Sequence, residues 1–341
     1  MNTAGPARWT ALAGAAWAYP SDAGASTFNP SLAAGLDQRQ AVLSTGSLPS
    51  GLRLGHMSAA GSAKKWHWAV GVDYLNSGRM PETNELGGIV GEFRFQESRP
   101  RATVARALEL KGDRQILVGA TARWTLQTAS NFVAQALPTD LGATYVGDSG
   151  RFHAALVLQH AGLSLDPLGS TPEALPTAVH AAISRKFRYA PFRIHIAARD
   201  LQRWNLAGYE PLREVRDPLT GAVTYNTPSF TNLALRHLAT AVEAELGGRL
   251  RLQIGYDFRR QLEMQLPTRR TNAGLSFGFG LKAGKSQFQW SQAVTTLRAD
   301  SRNFPTLGTY EDPPHRRGRL RLDRQVDARQ APRICPRVPV H

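Results

Sequence analysis

The stretch LRLQIGYDF at residues 250–258 decides the fold, because apolar and polar side chains alternate along its whole length. The apolar face carries Leu250, Leu252, Ile254, Tyr256 and Phe258. The other face carries Arg251, Gln253, Gly255 and Asp257. A tilted strand needs about nine residues to cross a bilayer, with alternate side chains meeting lipid and lumen. The stretch therefore predicts a membrane-spanning strand, and the same parity at Leu262, Met264 and Leu266 predicts that it continues past Arg259.

The stretch WHWAVGVDY at residues 66–74 repeats the pattern, with aromatic residues near both ends of one face. Aromatic side chains concentrate at the two interfaces of a membrane. The residues predicted to meet lipid or the interface are Trp66, Trp68, Tyr74, Tyr256 and Phe258. Those predicted to face the lumen are His67, Asp73, Arg123, Arg193, Arg199, Arg251 and Arg259.

Further alternating segments separated by short turns follow from residue 52 onward, with longer loops near residues 77–88, 164–175 and 207–230. This asymmetry of turns and loops is typical of membrane barrels. The predicted fold is all-β, an antiparallel transmembrane β-barrel of about 12–14 strands. A soluble β-sandwich also alternates, but its strands average about five or six residues, which is shorter than these segments.

The composition divides the chain into three predicted parts. Residues 1–37 form an N-terminal plug, residues 38–310 form the barrel, and residues 311–341 form an Arg/Pro-rich tail predicted to be disordered. The formal net charge of +15 is partly concentrated in that tail and does not indicate a nucleic-acid partner. The single cysteine, Cys335, lies in the tail and predicts neither a disulfide nor a metal site.

Enzymatic motifs are incomplete throughout the chain. Ser62 and Lys65 match the Ser-x-x-Lys pattern of penicillin-recognising enzymes, but the partner motifs of that class do not follow. The histidines lack the spacing of metal ligands. We therefore predict no catalytic residue, no metal and no cofactor, with a penicillin-recognising enzyme as the remote alternative.

The N-terminal region resembles the plug of FadL-like outer-membrane barrels. A helix-prone stretch at residues 7–16 precedes a turn with an Asn-Pro pair, and Ser31 stands where alanine is usual. The plug motif comprises Asp22, Ser26, Phe28, Asn29 and Pro30. The resemblance implies a helical plug in the lumen and location in the outer membrane of a Gram-negative bacterium. No convincing signal peptide precedes this region, so we expect the leader to be missing from this chain.

A second stretch, residues 185–206, resembles the central strand pair of the PorQ family, barrels of the type IX secretion system. The family-like residues are Ala190, Pro191, Phe192, Leu201, Gln202 and Trp204. The resemblance covers about residues 5–310 in order. It implies outer-membrane lipid and an attachment complex of PorZ-, PorU- and PorV-like proteins as partners, bound through the loops near 77–88 and 207–230.

The two resemblances leave two functions open. The first is a scaffold that anchors a complex which processes and attaches secreted cargo. The alternative is a FadL-like channel for hydrophobic small molecules. The predicted lumen arginines favour the scaffold, because a basic interior suits acyl chains poorly unless an apolar pocket lies near the plug.

Overall fold

The computed structural model describes residues 5–48, 51–166, 174–207, 214–216, 219–221, 223–225, 228–264, 271–294 and 301–310. The predicted tail and parts of the loops near 164–175 and 207–230 lie outside these ranges. Within the ranges there are three α-helices: α1 Ala7–Ala11, α2 Phe230–His237 and α3 Phe258–Glu263. Two 3-10 helices, Ala23–Thr27 and Pro30–Gly35, follow α1.

Strands make up most of the described chain. They are β1 Gln40–Ser47, β2 Arg53–Ala63, β3 Trp66–Asn76, β4 Met80–Thr83, β5 Ile89–Phe93, β6 Phe95–Glu109, β7 Gln115–Arg123, β8 Thr125–Ala129, β9 Phe132–Gly147, β10 Phe152–Asp166, β11 Ala178–Lys186, β12 Phe192–Ala198, β13 Glu214–Arg216, β14 Val223–Tyr225, β15 Leu238–Leu246, β16 Leu250–Asp257, β17 Leu275–Ala283, β18 Ser286–Val294 and β19 Ser301–Tyr310.

Fifteen of these strands form one antiparallel sheet that closes on itself. The first strand, β1, pairs with the last, β19, with Gln40 opposite Tyr310. Strands β7 and β8 both pair with β6 and β9, so they share one place in the wall. The fifteen strands therefore occupy fourteen positions around a barrel, as the alternation predicts, and the sandwich alternative is wrong.

The two ends of the barrel differ. At one end, which we call the short-turn end, neighbouring strands are joined by turns of two to five residues, at 64–65, 110–114, 148–151, 187–191, 247–249 and 284–285. At the other, the long-loop end, the longer connections are residues 77–94, 167–177, 199–237 and 258–274. The region near 77–88, predicted to be a loop, contains β4, which pairs with β5 just after it in a small hairpin.

The predicted continuation of the 250–258 strand is wrong. Strand β16 ends at Asp257, whose side chain accepts a hydrogen bond from the Arg260 amide and so caps α3. Leu262 therefore lies in a helix and Met264 at its end, not in a strand, and Leu266 lies outside the described residues. The Arg260 side chain stabilises the helix by donating to the carbonyl oxygens of Ala273 and Gly274.

The outer and inner faces of the barrel differ sharply in polarity. Leu252 and Ile254 on β16 are exposed, whereas Gln253 between them is buried. On β3, Val70 is exposed while Ala69 and Asp73 are buried. The exposed side chains meet lipid in a transmembrane barrel, which explains an apolar outer surface. Within the described ranges, no helix has the length and apolar character to cross a membrane.

We expect Ile254→Arg to destabilise the barrel in lipid, because Ile254 is 51% exposed on the wall and an arginine there must enter hydrocarbon. The expected loss in the free energy of unfolding is about 2 kcal/mol, measured by urea titration in vesicles. Leu86→Arg is the control, since Leu86 is 95% exposed in the turn between β4 and β5. Equal losses in both variants would argue against lipid contact at Ile254.

Candidate functional site

The interior of the barrel holds the N-terminal segment, defined here as residues 5–36. Its buried side chains form clusters with inward-facing residues of the wall. Leu12, Trp17 and Phe28 pack with Val157 on β10 and Ala197 on β12. Farther along the segment, Ala33 and Leu36 pack with Leu117 on β7 and with other wall residues. The segment thus contacts strands from well-separated stretches of the chain and fills the space between them.

The Asn29-Pro30-Ser31 turn lies flat against the wall at two glycines. Gly119 on β7 and Gly142 on β9 face each other in register. A Cβ on Gly119 would lie 2.6 Å from the Pro30 carbonyl carbon, and a Cβ on Gly142 would overlap Asn29 Oδ1. Since only glycine lacks this atom, the pair forms the surface on which the turn rests.

Hydrogen bonds fix the same turn. Asn29 Nδ2 donates to the Trp17 carbonyl oxygen at 2.7 Å and to Thr144 Oγ1 at 3.0 Å. Asn29 Oδ1 accepts from the amide of Ser31 at 3.1 Å and from its hydroxyl at 2.7 Å. All four polar positions of the Asn29 amide are therefore occupied within a buried environment.

A buried ion pair holds the start of the segment. Arg8 in α1 donates from Nε to Glu243 Oε2 at 2.8 Å and from Nη2 to Oε1 at 3.2 Å. Gln253 Nε2 adds a third hydrogen bond to the Glu243 carboxylate at 2.8 Å. Arg251 lies 3.8 Å from the same carboxylate. The two-pronged geometry matches the fork of a guanidinium to a carboxylate.

A second buried ion pair holds the middle of the segment. Arg123, at the end of β7, donates from Nε to Asp140 Oδ2 at 2.6 Å and also hydrogen-bonds the carbonyl oxygen of Thr27. The other Asp140 oxygen accepts from the His160 amide at 2.9 Å. Gln159 donates to the carbonyl oxygen of Phe28 at 2.8 Å. Wall side chains thus satisfy the backbone of a segment that has little regular structure of its own.

A third charged cluster lies on the inner wall of β2, β3 and β6. Asp73 accepts from Arg101 Nη1 at 2.8 Å, and its other oxygen is 2.7 Å from His56 Nδ1. All three side chains are buried. The cluster is built from wall residues alone, so it does not depend on the N-terminal segment.

A cavity of about 290 Å³ remains open toward the long-loop end. Its apolar wall includes Ala134, Ala136, Pro138, Leu175 and Pro176. Its polar wall includes Glu97, Arg99, Arg123, Gln127, Gln135, His160 and Asp166. Since Arg123 belongs both to this lining and to the contact with Thr27, the cavity borders the N-terminal segment.

The barrel wall is interrupted beside this cavity. Trp124 separates β7 from β8, and its amide donates to the Pro100 carbonyl oxygen at 3.0 Å. Pro100 on β6 and Pro138 on β9 flank the break, and proline has no amide hydrogen to give to a ladder. On β10 the register with β9 shifts between Leu158 and Ala161. Several adjacent strands are therefore irregular at one level of the wall.

The predicted site residues fall into separate groups. The plug-motif residues Asp22, Ser26, Phe28, Asn29 and Pro30 are all buried inside the barrel. Of the predicted lumen residues, Asp73, Arg123 and Arg193 are buried, and His67, Arg199 and Arg251 are half-buried. Arg193 lies over the ring of Tyr19, 3.7 Å from its centroid. Trp66, Trp68 and Tyr74 are exposed on the outer face, and Tyr256 is partly exposed.

Several predicted placements need correction. Arg259 and Phe258 lie in α3 and not in a strand; Arg259 donates to Asp200 at 2.9 Å and to Glu263 at 2.7 Å. The strand pair predicted over residues 185–206 is also shorter than expected, because β12 ends at Ala198. Ala190 and Pro191 lie in the turn before Phe192, the first residue of β12, and Leu201, Gln202 and Trp204 follow that strand. The side-chain oxygen of Gln202 accepts a hydrogen bond from the Val179 amide at 2.8 Å, where a regular strand would offer a backbone carbonyl oxygen.

Sequence reasoning missed the wall partners of the N-terminal segment. Glu243, Asp140, Gly119 and Gly142 sit at inward positions of their strands, where a polar residue or glycine looks like ordinary lumen lining. Among the described residues, no group of three or more His, Cys, Asp or Glu side chains could hold a metal ion.

The fold places this protein in the class of closed transmembrane β-barrels whose interior is occupied by an N-terminal segment. Solved structures of similar fold include hydrocarbon transporters. The toluene transporter TodX of Pseudomonas putida matches over 90% of this chain and 98% of its own, with a TM-score of 0.56 and 11% identity. The toluene transporter TbuX of Ralstonia pickettii matches over 91% of this chain and 99% of its own, with a TM-score of 0.54 and 11% identity. CymD, a monoaromatic hydrocarbon channel, matches over 92% of this chain and 98% of its own, with a TM-score of 0.53 and 11% identity.

At this level of identity the likeness establishes the fold. It supports the barrel expected from the FadL-like resemblance, and it gives no support to the narrower resemblance to PorQ. No family model matches the sequence. The search of curated proteins finds no match either.

We expect Gly142→Ala to lower the free energy of unfolding by about 1–3 kcal/mol, because the added methyl group overlaps Asn29 Oδ1 in a packed interior. Urea unfolding in detergent, followed by tryptophan fluorescence, measures the loss. Gly55→Ala is the matched control, since its Cβ would lie 3.8 Å from the nearest neighbouring atom, in Tyr74. A loss no larger than that of the control would contradict the close seating of the Asn29 turn.

We expect Glu243→Gln to destabilise the folded barrel by about 3–5 kcal/mol, since it leaves the Arg8 guanidinium buried beside a neutral amide. Combining Glu243→Gln with Arg8→Met should recover part of that loss, because the unpaired charge is then gone. The same urea titration measures both variants. Additive losses in the double variant would show that the two side chains do not interact.

Proposed function

We propose that this protein is an outer-membrane channel for hydrophobic small molecules. The observation that carries the proposal is the likeness of fold to two toluene transporters and a monoaromatic hydrocarbon channel, which extends over nine-tenths or more of the chain. The outer-membrane location follows from the same barrel architecture, since closed antiparallel barrels of this kind are outer-membrane structures.

The cavity beside the broken strand supports the proposal. Its volume of about 290 Å³ suits a small ligand, and Ala134, Ala136, Pro138 and Leu175 give it an apolar side. The lumen arginines, which favoured a scaffold at the level of sequence, do not make the whole interior basic. Arg123 is paired with Asp140, and Arg251 lies near Glu243 and Glu245.

The cavity also borders two features of the barrel that could form a path for a substrate, the N-terminal segment and the interruption of the wall. One side of it borders the N-terminal segment at the Arg123 contact with Thr27. The other side borders the interrupted wall at Trp124, between Pro100 and Pro138. We propose that a molecule entering through the opening at the long-loop end leaves the cavity past the N-terminal segment or through the interrupted wall. We assign the cavity as the substrate-binding site on this basis.

The alternative function, anchoring of an attachment complex of the type IX secretion system, stays a prediction. It rests on the resemblance of residues 185–206, and part of that stretch lies outside strands. Recovery of a PorZ-like partner with the tagged protein from detergent-solubilised outer membranes would favour it.

We expect cells producing the protein to take up radiolabelled toluene faster than cells carrying an empty vector. Ala136→Trp should lower that uptake by about tenfold, because an indole ring would occupy much of the cavity that Ala136 lines. Leu137→Trp is the matched control, since Leu137 is the next residue and is exposed on the outer face. Its uptake should equal that of the unaltered protein.

Two results would overturn the proposal. One is uptake no faster than in the vector control when correctly folded barrel is present in the outer membrane. The other is equal uptake by Ala136→Trp and Leu137→Trp, which would remove the cavity from the path of the substrate.

A further inference from the structure

Two neighbouring turns at the short-turn end border a second, open cavity of about 580 Å³. The turns are residues 148–151, between β9 and β10, and residues 187–191, between β11 and β12. The lining residues are Asp148, Arg151, Arg185, Lys186, Phe187, Arg188, Tyr189 and Ala190. Four cationic side chains therefore surround this space against a single carboxylate.

Arg185 stands on the lipid-facing side of the wall. Ser184 before it is buried in the interior, whereas Ile183 and Arg185 are exposed on the outer face of β11. In register, Arg185 lies opposite Phe152 on β10 and Ile194 on β12. An arginine among outward-facing apolar residues is stable only near the headgroups, where its guanidinium leaves the hydrocarbon.

Two of the four cations donate close hydrogen bonds to acidic side chains. Arg151 donates to Asp148 at 2.5 Å, and this hydrogen bond lowers the pKa of the Asp148 carboxyl from its ordinary value. Lys186 donates to Glu245 at 2.8 Å.

The other two cations are paired less closely. Arg185 forms a long ion pair with Asp148, at 3.9 Å, but that carboxylate already binds Arg151, and the Arg185 side chain is 64% exposed. Arg188 lies over the ring of Tyr189, 5.6 Å from the centroid, and forms no ion pair within the described ranges. The guanidinium groups of Arg185 and Arg188 thus line one exposed space and have donors to offer a ligand there.

Aromatic side chains set the depth of this space in the membrane. Tyr189 is 92% exposed at the tip of the turn, and Phe187 and Phe192 are exposed beside it. The same level recurs elsewhere on the barrel, where Arg106 lies 5.5 Å from the ring centroid of Trp66 at the short-turn end. Amphipathic aromatic rings and arginines mark the boundary between hydrocarbon and headgroups.

We propose that the cavity between these two turns binds the phosphate headgroup of an anionic phospholipid, held by Arg185 and Arg188. Planar guanidinium groups match phosphate oxygens with paired hydrogen bonds. The acyl chains would lie along Phe152, Ile183 and Ile194 on the outer face, which a free anion in solution cannot do. Short turns face the periplasm in outer-membrane barrels, so the lipid belongs to the periplasmic leaflet. The proposal requires only that the barrel spans a membrane, whatever passes through it.

The test uses the full protein in detergent, titrated with phosphatidylglycerol and observed by native mass spectrometry. The double variant Arg185→Gln/Arg188→Gln should lose affinity for the lipid on the order of tenfold, because each basic residue near a headgroup contributes measurably. The matched control is Lys64→Gln/Lys65→Gln, which removes the same charge from an exposed turn at the same end. Its affinity should stay within about twofold of the unaltered protein. Slower migration of boiled than of unboiled samples on a gel verifies that every variant is folded.

Three outcomes would overturn the proposal. Equal losses in the two double variants would mean that general surface charge attracts the lipid. An unchanged affinity in Arg185→Gln/Arg188→Gln would remove these arginines from the site. Displacement of phosphatidylglycerol by inorganic phosphate at equal concentration would identify a phosphate-ion site without any lipid contribution.

Discussion

Arg8 and Glu243 are 235 residues apart in the chain, yet they meet as a two-pronged ion pair inside the barrel. Burying either charge alone would cost several kcal/mol, so each side chain needs the other. This requirement ties α1 to the inner wall formed by β15 and β16. The ion pair of Arg123 with Asp140 makes a similar link from β7 and β9 to the carbonyl oxygen of Thr27. The position of the N-terminal segment follows from where the wall places its acidic residues.

The position of the N-terminal segment also determines where free space remains inside the barrel. Where wall and segment match, glycines such as Gly119 and Gly142 let the two backbones approach closely. Toward the long-loop end the segment no longer fills the barrel, and the cavity beside Trp124 remains. The cavity, the interrupted strand and the border of the segment therefore occur together. The proposed channel function needs a binding space that opens to the outside, and this cavity, open toward the long-loop end, would supply it.

The sequence predicts the wall of the barrel well. Alternation at residues 66–74 and 250–258 places the outward and inward side chains of β3 and β16, because a strand has a period of two whatever surrounds it. It fails past Asp257, where a capping side chain starts a helix although Leu262 and Met264 keep the strand parity. The cavity and the pairs Arg8–Glu243 and Arg123–Asp140 could not be predicted, because they depend on which inward residues meet across the closed barrel. A glycine at an inward position gives no sign, in one sequence, that a turn rests on it.

The most direct test is the accessibility of a thiol placed in α1. Ala11 is fully buried, and its Cβ lies 2.7 Å from the position that a Cβ on Gly278 of the wall would take. With Cys335 replaced by serine, Ala11→Cys is compared with Lys65→Cys, which introduces a thiol in the exposed turn between β2 and β3. We predict that a water-soluble maleimide labels the thiol of Lys65→Cys rapidly and that of Ala11→Cys only after unfolding, read by mass spectrometry. Equally rapid labelling of both thiols in the folded protein would contradict the placement of the N-terminal segment inside the barrel.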